Sequence, residues 1–156
     1  MPLLAEAFRE HRTAQSVLVA PDAGAVRLAQ RYVERLQLPV AYIEKLRHTD
    51  RDVEIRAVTG TVADRAPVLV DDMVSTGGTM IAACEELLAA GARPEISILA
   101  SHALLVGEAA ARLAELPVQR FLTTDSVIPQ HTADLPVERF GLADLLAGTI
   151  RAVTLP

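Results

Sequence analysis

The stretch VLVDDMVSTGGTM, from Val68 to Met80, joins an apolar strand, an acidic pair and a small-residue turn to a helix-forming segment. Val68–Val70 has the composition of a buried strand, and Asp71 and Asp72 follow it directly. The next residues contain two glycines and three hydroxyl side chains. In an open parallel sheet, ligands bind outside the carboxyl ends of the strands. This stretch therefore predicts a ligand site at the end of a central strand.

The turn is suited to an anion because backbone N–H groups at the start of a helix are unpaired and the helix dipole favours negative charge. Its glycines let the backbone approach a phosphate closely, and its hydroxyls add donors. The residues of this phosphate-binding turn are Ser75, Thr76, Gly77, Gly78 and Thr79. No lysine follows the glycines and no G-x-G-x-x-G is present, so triphosphate and dinucleotide loops are poor matches.

The acidic pair indicates that the ligand also carries hydrogen-bond donors. Ionised carboxylates only accept hydrogen bonds, whereas the two cis hydroxyls of a ribose donate them. Asp71 and Asp72 could therefore hold O2 and O3 of a ribose, directly or through a divalent cation, while the turn binds the 5-phosphate. The bland alternative is that the acids merely end a strand and the glycines merely turn the chain. A phospho-accepting receiver domain is disfavoured, because there the pair normally ends the first strand and a lysine follows later.

The bulk composition excludes several classes of protein. The chain has 156 residues, 51% of them hydrophobic, which predicts one domain over 1–156 with a real core. A net charge of −5 and 3% aromatic residues argue against nucleic-acid binding. The apolar runs are too short to cross a bilayer. The single cysteine, Cys84, gives no disulfide framework, so we expect a cytoplasmic protein.

Short apolar runs alternate with helical periodicity along the chain, which predicts an α/β fold. We expect three layers, with a mostly parallel central sheet and helices on both faces. The predicted strands are Val17–Ala20, Pro39–Glu44, Val53–Val58 (half-exposed and antiparallel), Val68–Val70 (central), Ile96–Ser101 and 118–124. Helices are predicted around residues 3–8, 26–36, 80–90 (ending at Gly91), 106–116 and 142–153. The charged segment Lys45–Asp52 is predicted to be an exposed loop.

At this point the sequence resembles a known family. VLVDDMVSTGGTM resembles the phosphoribosyl pyrophosphate (PRPP) motif of type I phosphoribosyltransferases and of ribose-phosphate pyrophosphokinases. Further segments, in the same order and spacing, resemble the pyrophosphokinases, above all those of archaeal type: APDAGAVRLAQRYVERL, EKLR, GTVADRAPVLVDD, GAR and TTDSVIP. The likeness runs from Val17 to Val153 and corresponds to the carboxyl-terminal half of those two-domain enzymes.

The resemblance implies roles for further residues. Asp22 and Gly24 match the loop that meets the pyrophosphate and its Mg²⁺, with Asp22 as a metal ligand, although an ordinary turn would explain them as well. Lys45 and Arg47 match the catalytic basic pair of a mobile loop. Lys45 is the single lysine in a chain with 14 arginines, which favours a specific role over an ordinary solvated loop. Leu46 departs from the usual basic or polar residue of the family. His102 is expected either to line the pocket or to be structural.

The implied function is a Mg²⁺-dependent transferase domain that binds PRPP or ribose 5-phosphate in nucleotide precursor metabolism. It would act as a phosphoribosyltransferase or, with a partner domain that contributes to the ATP site, as a ribose-phosphate pyrophosphokinase. Self-association is expected by analogy, and neither nucleic acid nor a membrane is an expected partner. The alternative is a non-catalytic module that senses PRPP or regulates an assembly.

Overall fold

The strand that contains Val68–Val70 lies in the middle of a seven-stranded sheet, which confirms its predicted central position. The structure is a computed structural model that describes residues 2–47 and 54–154. The strands are β1 (Ser16–Ala20), β2 (Val40–Arg47), β3 (Glu54–Thr59), β4 (Ala66–Val74), β5 (Ile96–Ala103), β6 (Val118–Thr124) and β7 (Val137–Phe140). Their order in the sheet is β3-β2-β1-β4-β5-β6-β7. Every neighbouring pair is parallel except β2 and β3.

Helices cover both faces of the sheet, which confirms the predicted three-layer fold. The covering helices are α1 (Pro2–Arg9), α2 (Val26–Leu36), α3 (Gly78–Ala89) and α4 (Ala109–Ala114), whereas α5 (Ala143–Thr154) has no buried residue. One core packs α1 and α2 against alternate strand residues such as Leu18 and Val70. The other packs α3 and α4 against the residues between them, such as Val19 and Leu69. No helix in the described ranges is both long and apolar enough to span a bilayer.

Local sequence explains where α3 ends. Gly91 has a φ of +82°, and its N–H donates to the Leu88 carbonyl at 3.0 Å, while the Ala92 N–H donates to the Leu87 carbonyl at 3.0 Å. This is the crossed hydrogen-bond pattern of a glycine-terminated helix. The predicted stop at Gly91 is confirmed.

The structure corrects two features of the predicted pattern. Lys45, Leu46 and Arg47 do not form a loop, because they continue β2 and pair in antiparallel register with residues 54–56 of β3. The rest of the predicted loop, 48–52, lies outside the described residues. The strand Val137–Phe140 is absent from the predicted pattern, and it adds a parallel edge strand beside β6.

Strand β4 is also longer than predicted, and this matters for the site. It continues through the acidic pair to Val74, because β5 continues to Ala103 and pairs with it up to that point. Met73 is opposite His102, and Val74 is opposite Ala103. Asp71 and Asp72 therefore belong to a paired strand rather than to the turn that follows it.

Candidate active site

The phosphate-binding turn joins β4 to α3 and surrounds a cavity of about 140 Å³. The cavity is lined by Asp71 and residues 73–80. Among described residues, no backbone carbonyl accepts a hydrogen bond from the amides of residues 76–79. These amides are the unpaired donors expected at a helix start, and they are available to an anion. The predicted anion-binding turn thus has a cavity beside it.

Gly77 allows the turn to be this tight. It precedes α3 with a φ of +77°, a left-handed conformation that favours glycine. A Cβ at this position would lie 3.4 Å from the Ala109 Cβ and 3.5 Å from the Leu113 Cδ1 of α4. Gly78 is less restricted, since the nearest neighbour of a Cβ added there would be Thr76 Oγ1, at 3.9 Å. Position 77 therefore needs glycine for its conformation, and α4 packs closely beneath it.

The segment after β5 holds the start of the turn in place. The N–H groups of Leu104 and Leu105 both donate to the Val74 carbonyl, at 2.9 and 3.1 Å, and the Val106 N–H donates to the Ser75 carbonyl at 3.0 Å. Leu105 is buried and has a φ of +47°, a conformation that costs a leucine about 1 kcal/mol or more. The segment 104–106 therefore fixes the backbone of the turn whose amides are unpaired.

Asp71 lines the cavity beside the turn and is half-buried. Burial is the main cause that raises its pKa to about 6, and the charges of Asp22 and Asp72 raise it further. A hydrogen bond of 2.8 Å from the Asp72 N–H to Asp71 Oδ1 opposes this rise. A carboxylate in this position is stabilised by any ligand that donates hydrogen bonds or brings a cation.

A second cavity of about 530 Å³ lies between β4 and the start of α2. Its polar lining comes from three acids and two arginines: Asp22, Asp71, Asp72, Arg27 and Arg31. Asp71 and Met73 line both cavities, so the two adjoin at the end of β4. Asp22 reaches this place because β1 pairs with β4, which brings the ends of the two strands together. In the sequence alone, resemblance is the only link between Asp22 and the acidic pair.

Asp22 also has a structural task. Its Oδ1 accepts hydrogen bonds from the N–H groups of Gly24, at 2.9 Å, and Ala25, at 3.2 Å, and so caps the short 3₁₀ turn that leads into α2. A Cβ on Gly24 would lie only 3.1 Å from that oxygen. The structural role expected of an ordinary turn therefore involves only Asp22 Oδ1. Asp22 also lines the second cavity.

The donor set fits a hydrated Mg²⁺ better than a metal held by protein alone. No group of three or more metal-ligating side chains is close enough to hold a metal within residues 2–47 and 54–154. Mg²⁺ prefers oxygen ligands, keeps several waters and commonly binds through one or two carboxylates plus substrate oxygens. Asp22 and the acidic pair, which line the same cavity, provide such carboxylates.

Lys45 and Arg47 lie on a ribbon that extends past the carboxyl edge of the sheet. Strand β2 pairs with β1 from Val40 to Tyr42, where β1 ends, and continues to Arg47 paired with β3. At about 3.3 Å per residue, the backbone of Lys45 lies about 10 Å beyond Tyr42 along the strand. The ribbon thus extends from the edge of the sheet at which Asp22 follows β1.

His102 lies at the end of β5 but outside the residues that line either cavity. Its Nδ1 is 2.7 Å from the Ser126 hydroxyl, in the segment after β6. Two cavity residues, Arg27 and Arg31, are absent from the predicted site. Their spacing of four residues, directly after the PDAGA turn, is the signal that could have found them, because such residues lie one above the other on a helix.

Comparison with known proteins identifies relatives of this chain. Residues 1–132 match the Phosphoribosyl transferase domain family. A "Ribose-phosphate pyrophosphokinase" of Streptomyces avermitilis is 39% identical over 139 residues, which cover 87% of this chain and 43% of the relative. The corresponding Streptomyces coelicolor protein is 37% identical, over 98% of this chain and 47% of the relative. The chain spans about half the length of these relatives.

Two solved structures are also similar to this chain. The phosphoribosylpyrophosphate synthetase from Mycobacterium smegmatis matches with a TM-score of 0.80 and 33% identity, over 96% of this chain and 47% of that one. A purine phosphoribosyltransferase from Pyrococcus horikoshii matches with a TM-score of 0.51 and 21% identity, over 87% of this chain and 81% of that one, and shares the fold. These relatives are bacterial or distant, so the likeness to archaeal-type pyrophosphokinases stays a prediction.

Proposed function

Since the chain belongs to the phosphoribosyl transferase domain family, we propose that it binds ribose 5-phosphate or PRPP at the end of β4. The observation that carries this proposal is the cavity that Asp71 shares with the open amides of residues 76–79. An ester phosphate accepts hydrogen bonds from such amides, and ribose hydroxyls donate to carboxylates. One ligand that carries both groups uses the whole site.

The proposed roles follow the walls of the two cavities. Ser75, Thr76, Gly77, Gly78 and Thr79 bind the 5-phosphate. Asp71 and Asp72 hold the ribose hydroxyls, and Asp22 and Gly24 lie on the diphosphate side. Lys45 and Arg47 would balance the charge of the transferred group, because the protein contributes mainly positioning and electrostatic stabilisation in phosphoryl transfer.

Mg²⁺ is the proposed metal, with Asp22 as its ligand and substrate oxygens completing the shell. When bound, Mg²⁺ supplies positive charge that neutralises a diphosphate group. Binding of the cation would also relieve the mutual repulsion of Asp22, Asp71 and Asp72, which face one cavity.

We propose a transferase activity of the type that the relatives' names describe, in nucleotide precursor metabolism in the cytoplasm. Residues 1–156 would form one domain, equivalent to about half of a pyrophosphokinase. Use of ATP would then require a partner domain, and self-association is one way to bring chains together. A stand-alone phosphoribosyltransferase reaction with PRPP avoids that need.

Matched ligands test the binding proposal by titration calorimetry with Mg²⁺. Ribose 5-phosphate should bind, ribose should not, and arabinose 5-phosphate should bind about tenfold more weakly, because inversion at C2 removes one hydroxyl contact with the acids. Equal binding of inorganic phosphate and ribose 5-phosphate would contradict the role of the acids. Lack of ribose 5-phosphate binding would overturn the proposal.

Turnover is tested separately, with ribose 5-phosphate and ATP, and with PRPP and each nucleobase, by following AMP or pyrophosphate. Lys45→Ala should abolish any turnover while ribose 5-phosphate affinity stays within about twofold, and Arg151→Ala, on α5, is the matched control for loss of a positive charge. A wild-type chain that binds ligand but turns over none of these mixtures would favour the alternative of a PRPP-sensing module.

A further inference from the structure

The second cavity contains two positive side chains to which no role has been given. Arg27 and Arg31 are both exposed, lie one turn apart on α2 and line the cavity together with Asp22, Asp71 and Asp72. Within the described part of the chain, neither guanidinium is within 4.0 Å of a carboxylate. The two positive charges therefore face the same space as the acids without being paired to them.

The sizes and linings of the two cavities differ in a way that limits the ligand. The cavity of about 140 Å³ beside the turn offers backbone amides and hydroxyls, as one phosphate ester requires. The cavity of about 530 Å³ is lined by residues with carboxylate groups and by residues with guanidinium groups. A magnesium diphosphate carries both a cation and anionic oxygens, so it complements both kinds of group. Arginine suits the anionic part because its planar fork binds phosphate oxygens through two hydrogen bonds.

From this arrangement we propose that Arg27 and Arg31 bind the diphosphate group of the ligand whose 5-phosphate occupies the turn. The inference rests on the proposed function. Asp71 and Met73 line both cavities, so a ribose held over Asp71 would place its 5-phosphate beside the turn and its C1 substituent beside α2. The arginines would then distinguish ligands that carry a diphosphate from ribose 5-phosphate, which has none.

The third arginine of the same helix supplies a matched control. Arg35 follows Arg31 by four residues, is also exposed, and lies outside the residues that line the cavity. Each step of four residues turns about 40° around an α-helix, so a residue eight positions from Arg27 has rotated about 80° away from it. Arg35→Gln changes the charge of α2 by the same amount as either cavity substitution, with a similar effect on helix propensity.

The test measures the affinity of three ligands, in the presence of Mg²⁺, for the wild type, Arg27→Gln, Arg31→Gln, the double variant and Arg35→Gln. The ligands are ribose 5-phosphate, PRPP and the non-hydrolysable ATP analogue AMP-PCP. We expect each cavity substitution to weaken PRPP binding about tenfold, because a hydrogen bond to a charged group is lost. Ribose 5-phosphate affinity should stay within about twofold, and Arg35→Gln should bind all three ligands as the wild type does.

The ligands also separate the sources of the diphosphate. Weaker binding of PRPP supports the inference, whereas weaker binding of AMP-PCP alone would overturn it, because the arginines would then belong to the phosphates of a nucleotide donor. Unchanged affinity of the double variant for PRPP and AMP-PCP would overturn it, as would a parallel loss of ribose 5-phosphate affinity. If the wild type does not bind ribose 5-phosphate, the proposed function fails, and titration with pyrophosphate and Mg²⁺ still tests the arginines independently.

Discussion

Asp71 carries a cost in stability that its proposed role explains, and Asp71→Asn should reveal it. A pKa raised from 3.8 to about 6 means that the fold holds the ionised carboxyl less favourably than the unfolded chain does. A difference of this size corresponds to about 3 kcal/mol at neutral pH. The carboxyl is only half-buried, so solvent screening reduces the expected cost to about 1–2 kcal/mol. The variant should gain this amount, because asparagine has nearly the same shape and can still accept the hydrogen bond from the Asp72 N–H.

The effect of Asp71→Asn on stability should depend on pH. Between about pH 4 and pH 6 the folded state binds more protons at Asp71 than the unfolded state does, so this group lowers stability as the pH rises through that window. The gain from Asp71→Asn should therefore be complete above about pH 6 and shrink to less than about 0.5 kcal/mol near pH 4. Urea denaturation without Mg²⁺ or ligand, followed by circular dichroism at both pH values, measures it.

Asp134→Asn is the control, because Asp134 is exposed and its loss changes the net charge equally. Its effect should stay within about 0.5 kcal/mol at both pH values. The reasoning is refuted if Asp71→Asn gains nothing at pH 7, or gains as much at pH 4. In the same variant, ribose 5-phosphate affinity should fall about tenfold or more, since a carboxylate acceptor is lost. A more stable protein that binds less well is the expected signature of a functional acid.

Two further predictions concern the site, and a third concerns the core around α3. Gly77→Ala should lower the free energy of unfolding by about 1 kcal/mol or more, because alanine is strained at a φ of +77°, whereas Gly78→Ala should not; equal losses in urea denaturation would contradict this. Asp22→Ala should lower the free energy of unfolding by about 1 kcal/mol because the cap is lost, and Asp22→Asn should lower it by less than half of that. Both variants should weaken Mg²⁺-dependent PRPP binding. Unchanged PRPP binding would show that Asp22 is only a cap. Cys84 should react with a thiol reagent only when the protein opens, because burial raises its pKa to about 12; rapid labelling of the native protein near pH 8 would show the packing around α3 to be wrong.

The elements that the sequence predicts well are those whose signal is local. Strand β4 begins with a continuous apolar run, the turn after it is marked by two glycines, and α3 stops at Gly91. Strand β7 lacks such a signal, because VERF is short and alternates only weakly, and its backbone pairs with β6 across an intervening segment. The prediction for Lys45–Arg47 is wrong for the same reason. The charges of this segment indicate a loop, but pairing with β3, which no local pattern encodes, makes it a strand.

The residues of the candidate site also differ in whether a local signal predicts them. The phosphate-binding turn and the acidic pair lie within one motif, so their proximity follows from the sequence. Arg27 and Arg31 join them only because β1 and β4 are neighbours in the sheet, with Leu18 opposite Val68. This contact brings together residues forty or more positions apart, and no spacing rule within the chain reports their proximity. Composition can indicate an anion site, but the walls of the second cavity require the topology.

Under the proposed function, the extension of β4 through the acidic pair separates residues that bind from residues that catalyse. Asp71 lines both cavities, whereas Asp72 lines only the cavity beside α2, since successive residues of a strand point to opposite faces. Both are fixed by the pairing of β4 with β5, and little ordering should be needed when a ligand binds them. Lys45 and Arg47 lie where β2 has passed the end of β1 and, among the described residues, pairs with β3 alone. A two-stranded ribbon is less stable than a wider sheet. Substitutions at Asp71 should therefore change ligand affinity, whereas substitutions at Lys45 should change turnover at nearly constant affinity.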